Sequence, residues 1–189
     1  MAVAGGDGTA AAARADHEGQ VVQDTYEAQL VPHVAQGAVE IADLRAAIAG
    51  GLPEAGAARG IQAAGGGAWN FLAKGEGVVV GADREVRAAV LDVDLDGDGT
   101  GDLQIQLGPV VKGTALRDVA PFYQFTDFKD QIEFAALARA LNTQATGAIQ
   151  LPEGDLAGQR VSFEGAFALR SASEPVQLVP TRLVLGDGT

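Results

Sequence analysis

The chain has 189 residues, a net charge of −12, an isoelectric point near 4.4, and is 47% hydrophobic and 20% charged. That length suits one domain able to bury roughly 70% of its unfolded surface, so folding needs neither a disulfide nor a metal, and the composition is that of a globular chain. The negative field repels phosphate backbones and anionic headgroups, which sets nucleic acid aside as a partner, and the lack of cysteine removes disulfides, thiolate metal ligands and thiol nucleophiles together.

Residues 1–19 are rich in alanine and glycine, have little to bury, and read as a flexible tether. Met1–Ala15 lacks the apolar stretch of a signal peptide. No apolar run approaches the roughly 20 residues of a membrane span. Val22, Tyr26 and Leu30 recur at four-residue spacing, so a helix is expected there, kinked or ended by Pro32. Ile41, Leu44 and Ile48 mark a second helix that Gly50-Gly51 stops, and a helical turn is expected over Pro53–Arg59. Gly65-Gly66-Gly67 breaks the pattern and divides a helical part, 20–66, from a β-rich part, 67–189.

Beyond the glycines the period becomes two. Strands are expected over Gly75–Gly81, Arg84–Asp94 and Asp102–Val111, the last alternating Leu103, Ile105 and Leu107 against Gln104 and Gln106. A long helix follows over Thr126–Thr143. Its apolar set is Phe128, Ile132, Phe134, Ala135, Leu137, Ala138 and Leu141, and Thr126 or Asp127 is its expected cap. Arg160–Leu169, alternating Val161, Phe163, Gly165, Phe167 and Leu169, and Val176–Leu185 are two further strands. Pro180 in the second marks an edge or a bulge. Three strands, one helix and two strands is the order of a five-stranded Greek-key barrel of the OB type, with its helix between strands three and four. The expected fold is therefore α+β, N-terminal helices followed by an OB-like barrel.

The turn between the second and third strands places Asp94, Asp96, Asp98 and Asp102 in the pattern D-x-D-x-D-G-x-x-D. Alternate carboxylates of a tight loop converge on one point, and calcium takes six to eight oxygens. Calcium at this turn is the one cofactor the chain invites, and none is required. The overlapping register from Asp92 opens like an EF-hand loop, yet Leu103 stands where its twelfth-position glutamate belongs. A solvated hairpin tip, with Asp and Gly chosen for turn geometry, is the alternative.

Nucleophilic catalysis is poorly supplied. The histidines are His17 and His33, and none of Ser162, Ser171 and Ser173 lies in a G-x-S-x-G elbow. Gly75-Glu76-Gly77 with Gly81 has the wrong spacing for a dinucleotide loop. Asp127, Asp130 and Glu133 share a helical face at three-residue spacing and offer a glycosidase-like pair of carboxylates. An acidic first turn that complements the helix dipole is the plainer explanation.

Gly113–Asp118 interrupts the strand pattern with a charged pair, and Pro121-Phe122-Tyr123-Gln124-Phe125 then concentrates aromatic rings ahead of the helix. An arginine beside aromatics binds a carboxylate, a phosphate or sugar hydroxyls. Thr114, Arg117, Asp118 and Tyr123 are thus the candidate ligand-binding residues. The alternative is that Arg117 ties the loop to a nearby carboxylate or carbonyl while the aromatics fill the core.

Gly108–Asp118 reads G-P-V-V-K-G-T-A-L-R-D, Phe125 and Phe128 follow, Asp130–Ala135 reads D-Q-I-E-F-A, and Ala140–Asn142 reads A-L-N. Leu30-Val31-Pro32, Ala38-Val39 and Trp69 lie upstream. Val161-Ser162-Phe163-Glu164-Gly165-Ala166-Phe167 and Val179-Pro180-Thr181-Arg182-Leu183 lie downstream. From about Asp24 onward this pattern resembles an uncharacterised bacterial family of predicted periplasmic lipoproteins, often encoded beside sugar ABC transporters. Asp130 stands where the family usually has asparagine. The resemblance implies a periplasmic protein, anchored at the inner membrane through a lipidated cysteine behind a signal peptide. The chain shows neither, so the expectation is a chain trimmed after the lipobox, with the tether as the remnant of a membrane linker; a soluble periplasmic variant is the alternative. Membrane contact is then expected only through that anchor. The expected function is non-enzymatic: an accessory or binding domain linked to sugar ABC uptake, with a sugar or a transporter component as partner. A carbohydrate-active enzyme and a calcium-stabilised structural protein are the alternatives.

Overall fold

Residues 17–62 and 67–186 are described by the computed structural model of the chain. Most of the expected tether, and Gly65-Gly66 of the expected boundary, lie outside them.

Helix α1 (17–25) runs into a π-helical segment (Tyr26–Leu30) and then α2 (Val31–Gly37). Pro32 does not end this run. It falls in the first turn of α2, where a missing N–H costs least, and the segment before it bonds in the wider register, Val31 N–H to Tyr26 O. Val22, Tyr26, Leu30 and Val34 are all buried. After them come β1 (Val39–Glu40), α3 (Ile41–Ala49), α4 (Leu52–Arg59) and β2 (Ile61–Gln62). Ile41, Leu44 and Ile48 form the buried stripe of α3, at the spacing the sequence shows.

The barrel strands are β3 (Trp69–Asp83), β4 (Ala88–Asp94), β5 (Leu103–Pro109), β6 (Arg160–Leu169) and β7 (Gln177–Leu185). They pair in the order β3-β4-β5-β7-β6, and β6 returns to β3 from Trp69↔Leu169 to Val78↔Arg160, which closes the barrel. Within it only β5–β7 is parallel. This is the closed Greek-key arrangement of an OB barrel. Between β5 and β6 run α5 (Ala115–Asp118), a 3₁₀ turn (Phe125–Asp127) and α6 (Gln131–Gly147).

Strand parity sorts the side chains into two cores. Phe71, Leu91, Val93, Ile105, Val161, Phe163, Phe167 and Leu178 pack inside the barrel, joined by Ile41, Leu44, Ile48 and Leu52 from α3 and α4. Leu72, Ala166 and Val179 point outward into a second core. There Val22, Tyr26, Leu30 and Val34 meet Leu116, Val119, Leu137 and Leu141. The N-terminal helices therefore cover the barrel rather than stand apart from it, and β1 and β2 both pair with β3.

Three expectations are corrected here. β3 begins at Trp69 rather than Gly75. Asn70, Phe71, Leu72 and Ala73 are buried on both faces, so this stretch shows no alternation. β4 starts at Ala88 rather than Arg84. Helix α6 starts at Gln131, not Thr126. Asp130 adopts an extended N-cap conformation and accepts from the Glu133 N–H at 2.9 Å, while Glu133 Oε1 accepts from the Lys129 N–H at 3.1 Å. This reciprocal box is worth about 1 kcal/mol and outcompetes Thr126 and Asp127, which lie in the 3₁₀ turn. Phe128 consequently precedes the helix, and Ile132 is 77% exposed rather than part of the apolar face.

Pro180 sits at the expected bulge, where the β6–β7 register shifts between Glu164 and Gly165. The short parallel β5–β7 contact has two paired positions, Gln104↔Gln177 and Ile105↔Leu178. Glutamines reinforce it. Gln177 Nε2 donates to Gln104 Oε1 at 3.1 Å, and buried Gln106 donates to the carbonyls of Gln177 and Lys112. Among the described residues no helix is long and apolar enough to cross a membrane.

Candidate functional site

The β4–β5 connection is built around Asp94, at the buried end of β4. Gly97 and Gly99 take left-handed φ values of 81° and 83°, which side chains disfavour. They turn the loop back so that one carboxylate oxygen each from Asp94, Asp96, Asp98 and Asp102 lies within 4.8 Å of the others. Asp94 Oδ2 accepts from the Gly99 N–H at 2.7 Å, and Oδ1 from those of Gly97 and Asp96 at 2.9 and 3.1 Å. These bonds, that of Gly99 foremost, hold the Asp94 carboxyl below its ordinary value. Asp96 moves the other way, raised by desolvation and by the carboxylates of Asp102 and Asp98. Arg45 Nη2 reaches Asp102 Oδ1 at 3.2 Å and offsets one of the four charges. Clustered carboxylate oxygens of this kind fit a hard cation such as calcium.

The second constellation lies where α5, the loop before α6, and β2 meet. On the single turn of α5, Ala115 and Leu116 are buried, while Arg117 and Asp118 are 15% and 12% exposed at their side chains. Arg117 Nε donates to Asp118 Oδ1 at 2.9 Å, Nη1 donates to Phe134 O at 3.2 Å, and the guanidinium carbon stands 4.0 Å from the centre of the Phe134 ring. Thr114 Oγ1 donates to Asp118 Oδ2 at 2.6 Å. Arg117 thus ties the loop to both a carboxylate and a carbonyl. It also faces open space. A cavity of about 540 Å³ is lined by Arg117, Asp118 and Ala120, by Tyr123, Gln124 and Phe125 of the following loop, by Gln131 and Phe134 of α6, and by Gln62 of β2. Nη2 of Arg117 has no hydrogen-bond partner among the described residues.

Of the four candidate ligand residues, Arg117, Asp118 and Tyr123 line this cavity, and Thr114 supports it from behind through Asp118. The Tyr123 hydroxyl is committed to that of Thr25 at 2.6 Å, and burial pushes its pKa above the ordinary tyrosine value against the opposite pull of that bond. Gln62, Gln131 and Phe134 are lining residues the sequence did not single out. Phe134 reads as one more apolar helical position, and the two glutamines carry no pattern.

The remaining candidates do not gather. Asp127 lies in the 3₁₀ turn, while Asp130 and Glu133 are tied into the α6 cap, so the three share no helical face. Glu133 also meets His17 Nε2 at 3.5 Å. His33 Nε2 bonds Val119 O at 2.8 Å, and the Ser171 and Ser173 hydroxyls bond each other at 2.9 Å.

No curated protein matches the chain. A crystal structure of an OB-fold protein from Thermotoga maritima aligns with a TM-score of 0.64 over 90% of this chain and 95% of that one, at 15% identity, a likeness of fold. The family described as predicted periplasmic lipoprotein, DUF2291, matches residues 4–184. The chain therefore belongs to this family of predicted periplasmic lipoproteins.

Proposed function

We propose that the chain is a non-enzymatic accessory domain, held at the outer face of the inner membrane by a lipid anchor. In this reading it serves sugar ABC uptake by binding a sugar or a transporter component in the Arg117 cavity. The supporting observation is the makeup of that cavity: a guanidinium whose Nη2 has no partner among the described residues, beside aromatic rings and three side-chain amides. A hydrolase would need two free carboxylates across a substrate. The carboxylate lining this cavity is already held by Arg117 and Thr114.

Trp69 is the sole tryptophan and pairs in register with Gln62 of the cavity wall. Its fluorescence, together with thermal unfolding, is expected to shift on addition of a sugar or of the cognate transporter's extracytoplasmic components. Silence of both readouts across both sets overturns the proposal.

The gathering of four carboxylates within 4.8 Å supports a second proposal, that the β4–β5 turn takes a calcium ion. Calcium is expected to raise the melting temperature over that in chelator, and equal midpoints would assign a plain hairpin turn. Asp96→Asn is expected to raise the midpoint in chelator, by removing one of the mutually repelling charges, and to shrink the calcium response. The pH dependence has a definite sign. Asp96 is raised in the fold, so its repulsion is absent at low pH and sets in as pH climbs through that raised value. The advantage of Asp96→Asn should be complete above that raised value and vanish below the unfolded one near 4. Asp94 is lowered, so its stabilisation is complete above its unfolded value near 4 and fades as pH falls through the depressed one.

A further inference from the structure

We propose that the Arg117 cavity selects uncharged sugar rings and rejects acidic ones, with the Arg117–Asp118 pair as a clamp for neighbouring hydroxyls and Phe125 as the stacking face. This rests on the sugar-binding reading above and narrows it to a class of ligand.

Charge comes first. Among the described lining residues only Arg117 and Asp118 are charged, and they sit 2.9 Å apart, so the cavity carries no net charge. The chain around it carries −12. An anion entering here would meet a repulsive field and no unpaired cation. An anion held through Nη2 would still face the adjacent Asp118 carboxylate, and one held side-on through Nε and Nη2 would draw Arg117 off Asp118. That would strip a carboxylate only 12% exposed of its cation, which is costly.

A hydroxyl asks for something different. It donates once and accepts twice. Arg117 offers the N–H groups of Nη2, which have no partner among the described residues. Each Asp118 oxygen accepts a single bond, from Arg117 or from Thr114, and keeps a lone pair for a second. Donor and acceptor are adjacent, as vicinal hydroxyls require. Gln62, Gln124 and Gln131 add neutral groups of both kinds.

Stacking supplies the rest. One face of Phe134 is covered by the guanidinium, and its ring meets Phe125 edge-on at 5.6 Å. Phe125 itself is 42% exposed at the cavity wall, an apolar surface large enough to receive the C–H face of a sugar.

Isothermal titration of the protein with glucose, galactose, xylose and ribose, alongside glucuronate, galacturonate and glucose 6-phosphate, tests this. A neutral sugar is expected to bind with a Kd at least tenfold below that of its acid or phosphate. Phe125→Ala should weaken it at least tenfold, and Phe125→Trp should keep it. Because Phe125 is surface-exposed, both variants are expected to fold. Asp118→Asn leaves a cationic cavity and should shift the preference toward the acids, a change that a merely structural carboxylate would not produce. An acid that binds as tightly as its neutral sugar, or an unchanged affinity in Phe125→Ala, overturns the selectivity while sugar binding stands. Heat from no sugar of either kind removes the sugar reading and this inference with it.

Discussion

Gly165→Ala is expected to prevent the barrel from closing. Gly165 lies mid-strand in β6, paired with Ala73 on one side and Pro180 on the other. A Cβ placed there would collide with the carbonyl oxygen of Val179 and stand 2.9 Å from Pro180 Cα. Both obstacles are backbone, so no rotamer change relieves them. β6 cannot retreat either, because β3 flanks its other edge along ten paired positions. The strands must part where the bulge already weakens the ladder. The expected loss exceeds about 4 kcal/mol, in the range reserved for severe core disruption. Chemical denaturation reads it. A midpoint within about 0.5 kcal/mol of the parent, the size of an ordinary surface change, would show that β7 is free to move.

Arg117→Ala carries the next largest expected effect. It leaves Asp118 with Thr114 as its remaining partner and strips a cation from the Phe134 ring and carbonyl. Breaking a fully buried pair costs about 3–5 kcal/mol. The side chains keep 15% and 12% of their exposure, so solvent returns part of that, and about 2–3 kcal/mol is expected. Arg117→Lys should recover less than half, since an ammonium reproduces neither the fork nor the stacking. A double-mutant cycle with Asp118→Ala should give a coupling above about 1 kcal/mol. A coupling near zero would reduce the pair to a surface contact and remove the rigid clamp from the cavity.

Much of this architecture was legible in the residues. Val161, Phe163, Phe167 and Leu169 alternate in sequence and do line the barrel. Ile41, Leu44 and Ile48 form the stripe their spacing implies. The order of elements was enough for the OB topology, and Pro180 marked its bulge. What stayed hidden depends on contacts between distant segments. The start of β3 shows no alternation because the N-terminal helices cover its outer face at Leu72. Gln106 reads as an outward-facing position, yet it is buried and bonded across the parallel seam. The expected α6 caps, Thr126 and Asp127, give way to Asp130, because Glu133 stands three positions beyond it and closes the box. The lining of the candidate cavity was half legible. Arg117, Asp118 and Tyr123 are clustered in the chain, whereas Gln62 arrives from β2, and no local pattern announces that meeting.

The pairing of Trp69 with Leu169 has a further consequence, in time rather than in space. The two sides of this seam are about eighty to a hundred residues apart in the chain, and the β5–β7 seam joins positions about seventy apart. Barrels dominated by such distant pairings fold in roughly milliseconds to seconds, far slower than helical chains. β3, β4 and β5 are sequential neighbours and can assemble early as an open meander. That sheet would hold Phe71 and Leu91 in water until β6 and β7 follow. β6 and β7, which emerge after the meander, therefore set the moment at which the barrel closes over those side chains.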